Sequence, residues 1–311
     1  MTKKNPLLSL CIPTNGVKQW VMPVLDSIYT QNVEQDLFEV VITDDGDNKY
    51  FKEAIKDYIS KYKNLHYYET DAKCFLNEIA AYKKAKGKLI KFVNHRNILL
   101  PGTVERFIQF AKDYEKEKPI VYFSNGALVG LGEKNEYRTF NEFVKRMANY
   151  SSWSSGMAIW KDDLKKMPIR LEEYNELFPH TTILFKERKR KKYIVDNTEF
   201  FNEIDCGKTP KGKYDFFYAF GVEYPSIILD LFRANDVDYE TVKYVLDRNL
   251  EFIGKWYMLY VVFKKYTAHD ITSANKIFGI YYSKTQMFFA IIRKTIWKIN
   301  KEIRRKLGLK I

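Results

Sequence analysis

The chain has 311 residues, 46% of them hydrophobic, with 52 Lys and Arg against 39 Asp and Glu and a formal charge of +13. That length and apolar content build a folded core, as one large domain with an appendage or two modest domains, and exclude a disordered chain. The positive balance favours an anionic partner such as nucleic acid, acidic lipid or a phosphorylated substrate.

The first third alternates short apolar runs with helical patterns, which predicts a parallel sheet built by crossover helices. Leu7 to Ile12 reads as a strand ended by Pro13. Trp20, Val24, Leu25 and Ile28 then recur at helical spacing, and Phe38 to Ile42 is a second strand running into Thr43-Asp44-Asp45-Gly46. Tyr50 to Tyr62 is expected to be a helix, Leu65 to Tyr68 a strand, Leu76 to Ala85 a helix and Leu89 to Val93 a strand. Pro101 suits the first turn of a helix reaching about Tyr114, and Ile120 to Phe123 is a further strand. Beyond these, Trp153 to Trp160 reads as a strand and Leu177 to Lys186 as a helix. The basic run Lys186 to Lys192 reads as a solvated helix end, with phosphate or lipid contact as the alternative. Gly207 to Lys213 has linker composition, and the chain then turns helical. Cys11, Cys74 and Cys206 show no paired spacing, which predicts buried packing for each rather than a disulfide framework or a zinc site.

From Met287 onward, Phe288, Ile292, Ile296, Ile299, Ile303 and Leu307 recur every three or four residues, with Lys and Arg elsewhere on the wheel. Such a stripe beside a cationic face suits a helix lying on an anionic membrane interface, or a helix docked on the core. No apolar run spans a bilayer, and Met1 to Pro6 leads into a strand rather than a signal-peptide core. A cytoplasmic protein, peripheral on the inner face of the membrane, is the expectation.

The succession Leu8-Ser9-Leu10-Cys11-Ile12-Pro13-Thr14, then Phe38 to Gly46, then Asn77 before Ala85-Lys86-Gly87-Lys88, resembles family 2 glycosyltransferases over roughly the first 125 residues. The finer likeness is to the abequosyltransferase-like branch of bacterial surface-polysaccharide enzymes. The resemblance implies an α/β GT-A fold, a Rossmann-like mixed sheet flanked by helices over residues 1–205, followed by a helical C-terminal region over 206–311. It also implies a nucleotide diphosphate-sugar donor, whose pocket would be lined by Pro13, Thr14, Asp44, Asp45 and Asn77. Turn chemistry is the other explanation for the Asp-Asp-Gly segment.

In that family the strand after Gly87 ends in an Asp-x-Asp motif whose second Asp holds a divalent metal against the donor phosphates. Counting back from Pro101, this chain has Asn94, His95 and Arg96 instead. A guanidinium cannot ligate a metal but pairs with phosphate oxygens through its planar fork, so Arg96 would supply the metal's charge directly. Asn94 would bond a ribose hydroxyl and His95 would donate to phosphate. Manganese or magnesium held by an unrecognised ligand set is the alternative, and a decayed site a third.

An inverting transfer needs a base near the acceptor hydroxyl. His180 falls where the family's acidic residue would sit, with Glu176 as rival one turn earlier and helix capping as the structural explanation. Trp153, Ser154, Ser155 and Trp160 are candidates to shape the acceptor pocket, though core packing also suits the tryptophans. The function these residues imply is sugar transfer to a hydroxyl of a lipid-linked oligosaccharide. A non-catalytic homologue serving as a scaffold in polysaccharide assembly is the rival. Nucleic-acid binding is disfavoured, because the cations cluster at Lys186 to Lys192 and the C-terminus rather than interleaving with aromatics.

Overall fold

The computed structural model describes residues 5–205 and 214–306, so Cys206, the Gly207 to Lys213 segment and Leu307 lie outside the described residues. Two compact units are present, residues 1–143 with 150–205 and residues 144–149 with 206–311.

The first unit opens with β1 (Leu8–Thr14), α1 (Lys18–Tyr29), β2 (Phe38–Asp44), α2 (Lys49–Lys61), β3 (Leu65–Glu69), α3 (Leu76–Lys84) and β4 (Leu89–Phe92). It continues through β5 (Asn97–Leu99), α4 (Thr103–Asp113), β6 (Ile120–Phe123), β7 (Lys134–Tyr137) and α5 (Phe140–Met147), the last running into the second unit. Then come β8 (Ala158–Trp160), α6 (Lys161–Leu164), α7 (Pro179–Leu184), β9 (Tyr193–Asp196) and β10 (Phe201–Glu203). The main sheet has the order β3-β2-β1-β4-β8, parallel except for β8, which runs antiparallel to β4. β5 pairs antiparallel with β10, and β6-β9-β7 form a separate small sheet.

The sequence explains this arrangement locally. β1 and β2 are buried almost throughout, as strands covered on both faces must be, so they read as unbroken apolar runs. α1 buries Val21, Val24, Leu25 and Ile28 against the sheet, while Asn48 caps α2 by accepting from the N–H groups of Tyr50 and Phe51. At the amino end of the sheet the buried Glu39 carboxylate accepts from the Ser9 hydroxyl (2.6 Å) and from the backbone N–H groups of Lys86 and Gly87. That bond set locks the turn before β4 onto β1. Gly87 is required there because a Cβ would lie 2.6 Å from the backbone of Leu8 and Ser9.

The expected strands and helices of the first 125 residues are present, with ends shifted by a residue or two. Several expectations are corrected. Pro101 lies outside α4, whose N-cap is the left-handed Gly102. Trp20 leaves the apolar stripe of α1, where Val21 takes the buried position. The segment from Trp153 is not one strand, because Ser154–Gly156 form a 3-10 turn and only Ala158–Trp160 joins the sheet. The turn is imposed by packing, since a Cβ on Gly156 would lie 2.2 Å from the Tyr122 ring. α7 is only six residues long, and the basic run after it is not a helix end. Arg190 pairs there with Asp163, and Lys192 with Glu117 (3.1 Å) and Glu136 (3.4 Å), so carboxylates neutralise much of the run. Cys11 is buried as expected, but Cys74 is exposed with a left-handed backbone (φ 54).

The second unit is helical: α8 (Phe216–Tyr218) passes through a π-helical turn (Ala219–Glu223) into α9 (Tyr224–Arg233). α10 (Tyr239–Tyr257) ends in a second π-helical turn (Met258–Val262), and α11 (Lys284–Lys306) follows. Asp238 caps α10 by accepting from the Thr241 N–H. Buried Asn249 donates to the Phe220 carbonyl (2.7 Å) and to the Tyr282 hydroxyl (3.0 Å), tying α10 to its neighbours. No described helix is long and apolar enough to cross a membrane.

Gly87→Ala should cost about 2 kcal/mol or more, the scale of forcing extra atoms into a packed site, read as a lowered urea midpoint. An unchanged midpoint would show that the turn before β4 is not locked onto β1.

Candidate functional site

The carboxyl ends of β1, β2 and β4 bring together Thr14, Asp44, Asp45, Asn94, His95 and Arg96, with Asn77 entering from α3. Ligands of open α/β sheets bind at such strand ends. Asn77 is buried, and its amide nitrogen lies 3.1 Å from the Thr14 carbonyl and 3.2 Å from that of Thr43, so one side chain holds the ends of both strands. Its Oδ1 has no protein partner. The Thr14 carbonyl also accepts from the Asp45 N–H (3.0 Å). Pro13 is half-buried within β1.

The two adjacent carboxylates are not equivalent. Asp44 is buried, with Oδ1 accepting from the Gly46 N–H (2.9 Å) and Oδ2 from the Tyr67 hydroxyl (2.8 Å), so both its oxygens are committed inside the protein. Asp45 is half-buried. Burial raises its carboxyl above the usual range, against the opposing pull of Lys73, whose Nζ donates to the Asp45 carbonyl (2.9 Å). Asp45 is the more open of the pair, yet its Oδ1 lies 3.4 Å from the amide nitrogen of Asn77, the same side chain that holds the strand ends. Gly46 makes this turn feasible, because a Cβ there would lie 2.1 Å from the Asn15 carbonyl oxygen.

After β4, Asn94 Oδ1 accepts from the backbone N–H of Arg96 (3.1 Å) and from its Nε (3.4 Å). The guanidinium lies over the Trp20 indole at 5.6 Å, a cation–π arrangement that holds the fork in place before any ligand arrives. The His95 ring sits 5.1 Å from the same indole, and its Nδ1 is 2.9 Å from the Thr14 hydroxyl. That hydroxyl also accepts from the Gly16 N–H (3.1 Å). Burial and the neighbouring guanidinium push the His95 pKa down to about 3, so the ring is neutral at physiological pH.

These residues do not fit a divalent cation. Arg96 stands at the ligand position, the Asn94 carbonyl oxygen is engaged by Arg96 itself, and no group of three His, Cys, Asp or Glu among the described residues could hold a metal.

The candidates for acceptor chemistry are placed differently. Trp153 is half-buried against Phe201 (5.8 Å), Ser154 is half-exposed and Ser155 is buried. Trp160 belongs to the core, its Nε1 donating to the Pro119 carbonyl. The Lys91 ammonium, buried on β4, donates to the carbonyls of Phe92 (2.7 Å) and Ser155 (2.6 Å) with the rings of Phe107 and Phe123 5.6 Å away. Burial lowers its pKa to about 7. His180 is 2% exposed, lying between the rings of Phe75 and Phe178, with Nε2 2.8 Å from the Ser152 carbonyl and Nδ1 3.4 Å from Oε1 of the equally buried Glu78. With Thr181 donating to the Ser151 carbonyl, it pins the segment before Trp153. The expected open base is thus a buried clamp in this conformation, while its rival Glu176 is exposed in the turn before α7.

Residues 9–166 match the profile of Glycosyl transferase family 2, half of the chain. The chain belongs to this family. An uncharacterized glycosyltransferase of Mycoplasma genitalium, MG025, is 29% identical over 107 residues, spanning 33% of this chain and 36% of that protein, about a third of its length. The crystal structure of S. aureus TarS 1-349 superposes with a TM-score of 0.56 at 16% identity, covering 81% of this chain and 72% of that one. Its complex with UDP-GlcNAc gives 0.58 at 15% identity, covering 83% and 75%. The likeness to TarS shows the GT-A fold. The family 2 domain therefore carries its strand-end crevice with an arginine where the resemblance led to a metal-binding carboxylate.

Trp20, Tyr67, Lys73 and Glu78 are the site residues that sequence reasoning missed. Only Lys73, a cation between β3 and α3 facing the Asp-Asp turn, left a signal that could have been followed.

Two titrations check this electrostatic picture. His95, at about 3 against an ordinary 6.5, should show no change of imidazole proton shift between pH 4.5 and 8; a midpoint near 6.5 would remove the Thr14 and Arg96 contacts from the account. Lys91, at about 7 against 10.5, is protonated more in the unfolded chain between those two values. Stability should therefore rise with pH above 7 and be lost as pH falls back toward 7. Lys91→Met should flatten that rise in urea midpoints taken at pH 7, 8 and 9.

Proposed function

We propose that the protein transfers a sugar from a nucleotide diphosphate-sugar to a hydroxyl of a lipid-linked oligosaccharide during bacterial surface-polysaccharide synthesis, at the inner face of the membrane. No metal takes part in this reading. The observation that carries it is the Arg96 guanidinium, stacked on Trp20 and braced by Asn94 at the strand end where the family places its metal. In the reaction the bond from the anomeric carbon to the diphosphate breaks and a bond to the acceptor oxygen forms, with inversion. The nucleoside diphosphate leaves with added negative charge, and the acceptor proton passes to a base. A fixed guanidinium stabilises that developing charge without reorganising. Asp45 and Asn77 hold the nucleoside, the Asn94 amide the ribose, and neutral His95 donates to a phosphate oxygen. The UDP and UDP-GlcNAc complexes of TarS make a uridine nucleotide the first donor to test.

On the acceptor side, Trp153 offers a ring face and Ser154 a hydroxyl, while buried Ser155 contributes through its carbonyl. His180 serves there as the residue that sets the acceptor segment, through the contact of its Nε2 with the Ser152 carbonyl. The burial of His180 favours a second reading, a non-catalytic homologue acting as a binding or scaffold subunit, because no open base stands at that position.

Calorimetric titration with uridine, guanosine, cytidine and thymidine diphosphates, each with manganese and with excess chelator, separates these readings. Saturable binding that survives chelator and weakens at least about tenfold in Arg96→Ala, roughly 1.4 kcal/mol, is expected. Binding that requires manganese would overturn the role of Arg96, and no binding by a folded preparation would favour the scaffold.

A further inference from the structure

The stripe expected on the C-terminal helix faces outward. Phe288 and Phe289 are 60% and 63% exposed, and Ile292, Ile296 and Ile303 are 37%, 53% and 49% exposed. A different face of α11 docks on the unit: Met287 and Ala290 are buried, and Met287 and Ile291 come so close to Gly254 of α10 that a Cβ there would lie 2.9 Å from Ile291. Arg293 also pairs with buried Glu251 of α10 (2.9 Å). Core packing therefore accounts for one face of α11 and leaves the apolar stripe unused.

The charge of the segment selects what would cover that stripe. Lys284 to Lys306 holds eight Lys and Arg and one acidic residue, Glu302. At 100° per residue the exposed apolar positions span an arc of about 100°, and Arg293 and Arg304 fall at one margin of it. A second copy of the same helix would bring like charges together, and the helix cannot cross a bilayer. A surface that accepts an apolar stripe on a strongly cationic helix is an anionic lipid interface, in which such helices lie flat.

We propose that α11 is a membrane-docking surface, with Phe288, Phe289, Ile292, Ile296 and Ile303 inserted at the headgroup boundary of an anionic bilayer, to which the net positive charge of the segment draws it. This inference rests on the membrane placement in the proposed function and deepens it, while docking itself requires neither donor nor acceptor. The test is co-sedimentation of the full chain with phosphatidylcholine vesicles containing about one third phosphatidylglycerol, against pure phosphatidylcholine. Binding to the anionic vesicles only, weakened at 0.5 M salt and reduced at least tenfold in the double variant Ile292→Glu, Ile296→Glu with an unchanged circular dichroism spectrum, is expected. Three outcomes would overturn the proposal: no binding by the folded wild-type chain, equal binding to both vesicle types, or concentration-dependent dimerisation abolished by the same variant. Nucleotide diphosphate titration of each preparation keeps the two readings distinguishable, since a chain that binds nucleotide but not vesicles loses only the docking surface.

Discussion

One amide holds the ends of two strands. Where parallel strands stop inside a protein, their last carbonyls must find donors or carry a desolvation cost. Asn77 meets this need for Thr14 and Thr43 at once, from a helix whose chain position lies far from both. Everything that faces the crevice depends on that arrangement. With its carbonyl held, Thr14 can turn its hydroxyl to Gly16 and His95, and the Asp44-Asp45 turn can close against Asn15. The buried Oδ1 of the same amide has no partner within the protein, which a ligand hydroxyl or amide would complete.

Two buried charges anchor the opposite ends of the same sheet. Glu39 fixes the turn before β4 at the amino end, and Lys91 fixes the Ser155 carbonyl toward the carboxyl end of that strand. A polar group is expensive to bury without partners: Glu39 is met by the Ser9 hydroxyl, two backbone N–H groups and His66, whose Nε2 lies 3.5 Å from its Oε2, and Lys91 by two backbone carbonyls. The consequence is positional: β4 is held from both ends, so the Asn94-His95-Arg96 corner it delivers is set by rigid structure rather than by loop contacts.

Much of the first unit was legible because strands buried on both faces appear as unbroken apolar runs. Among the elements that escaped notice, β7 and β10 are short and largely exposed, and β5 and β10 pair across about a hundred residues of chain. Nothing local marks them. Trp20 was misread for a different reason: it sits four residues before Val24, a spacing that suits a core stripe and a ligand-facing position equally well. The Trp153 to Trp160 segment has strand composition, yet the close approach of Gly156 to Tyr122 breaks it, and that contact is tertiary. The position of His180 along the chain was readable, but its burial against Glu78 was not, since periodicity places a residue on a helix without saying what covers it.

The replacement of carboxylates by Asn94 and Arg96 changes the charge of the corner as well as its chemistry. Two aspartates with a divalent cation sum to no net charge, and the cation binds phosphate only because those aspartates hold it there. Asparagine, a neutral histidine and an arginine sum to +1 with no third party required. The neutrality of His95 follows from this, because a second positive charge beside Arg96 in a buried setting is doubly disfavoured. In the proposed reading such a corner would attract a diphosphate without first being loaded, and it holds its geometry through the Trp20 contact and the Asn94 bond. Discrimination among donors would then come from the nucleoside end, where the half-buried Asp45 carboxylate, 3.4 Å from the Asn77 amide nitrogen, is more open than that of Asp44, and where a change of side chain would alter the base site without touching Arg96.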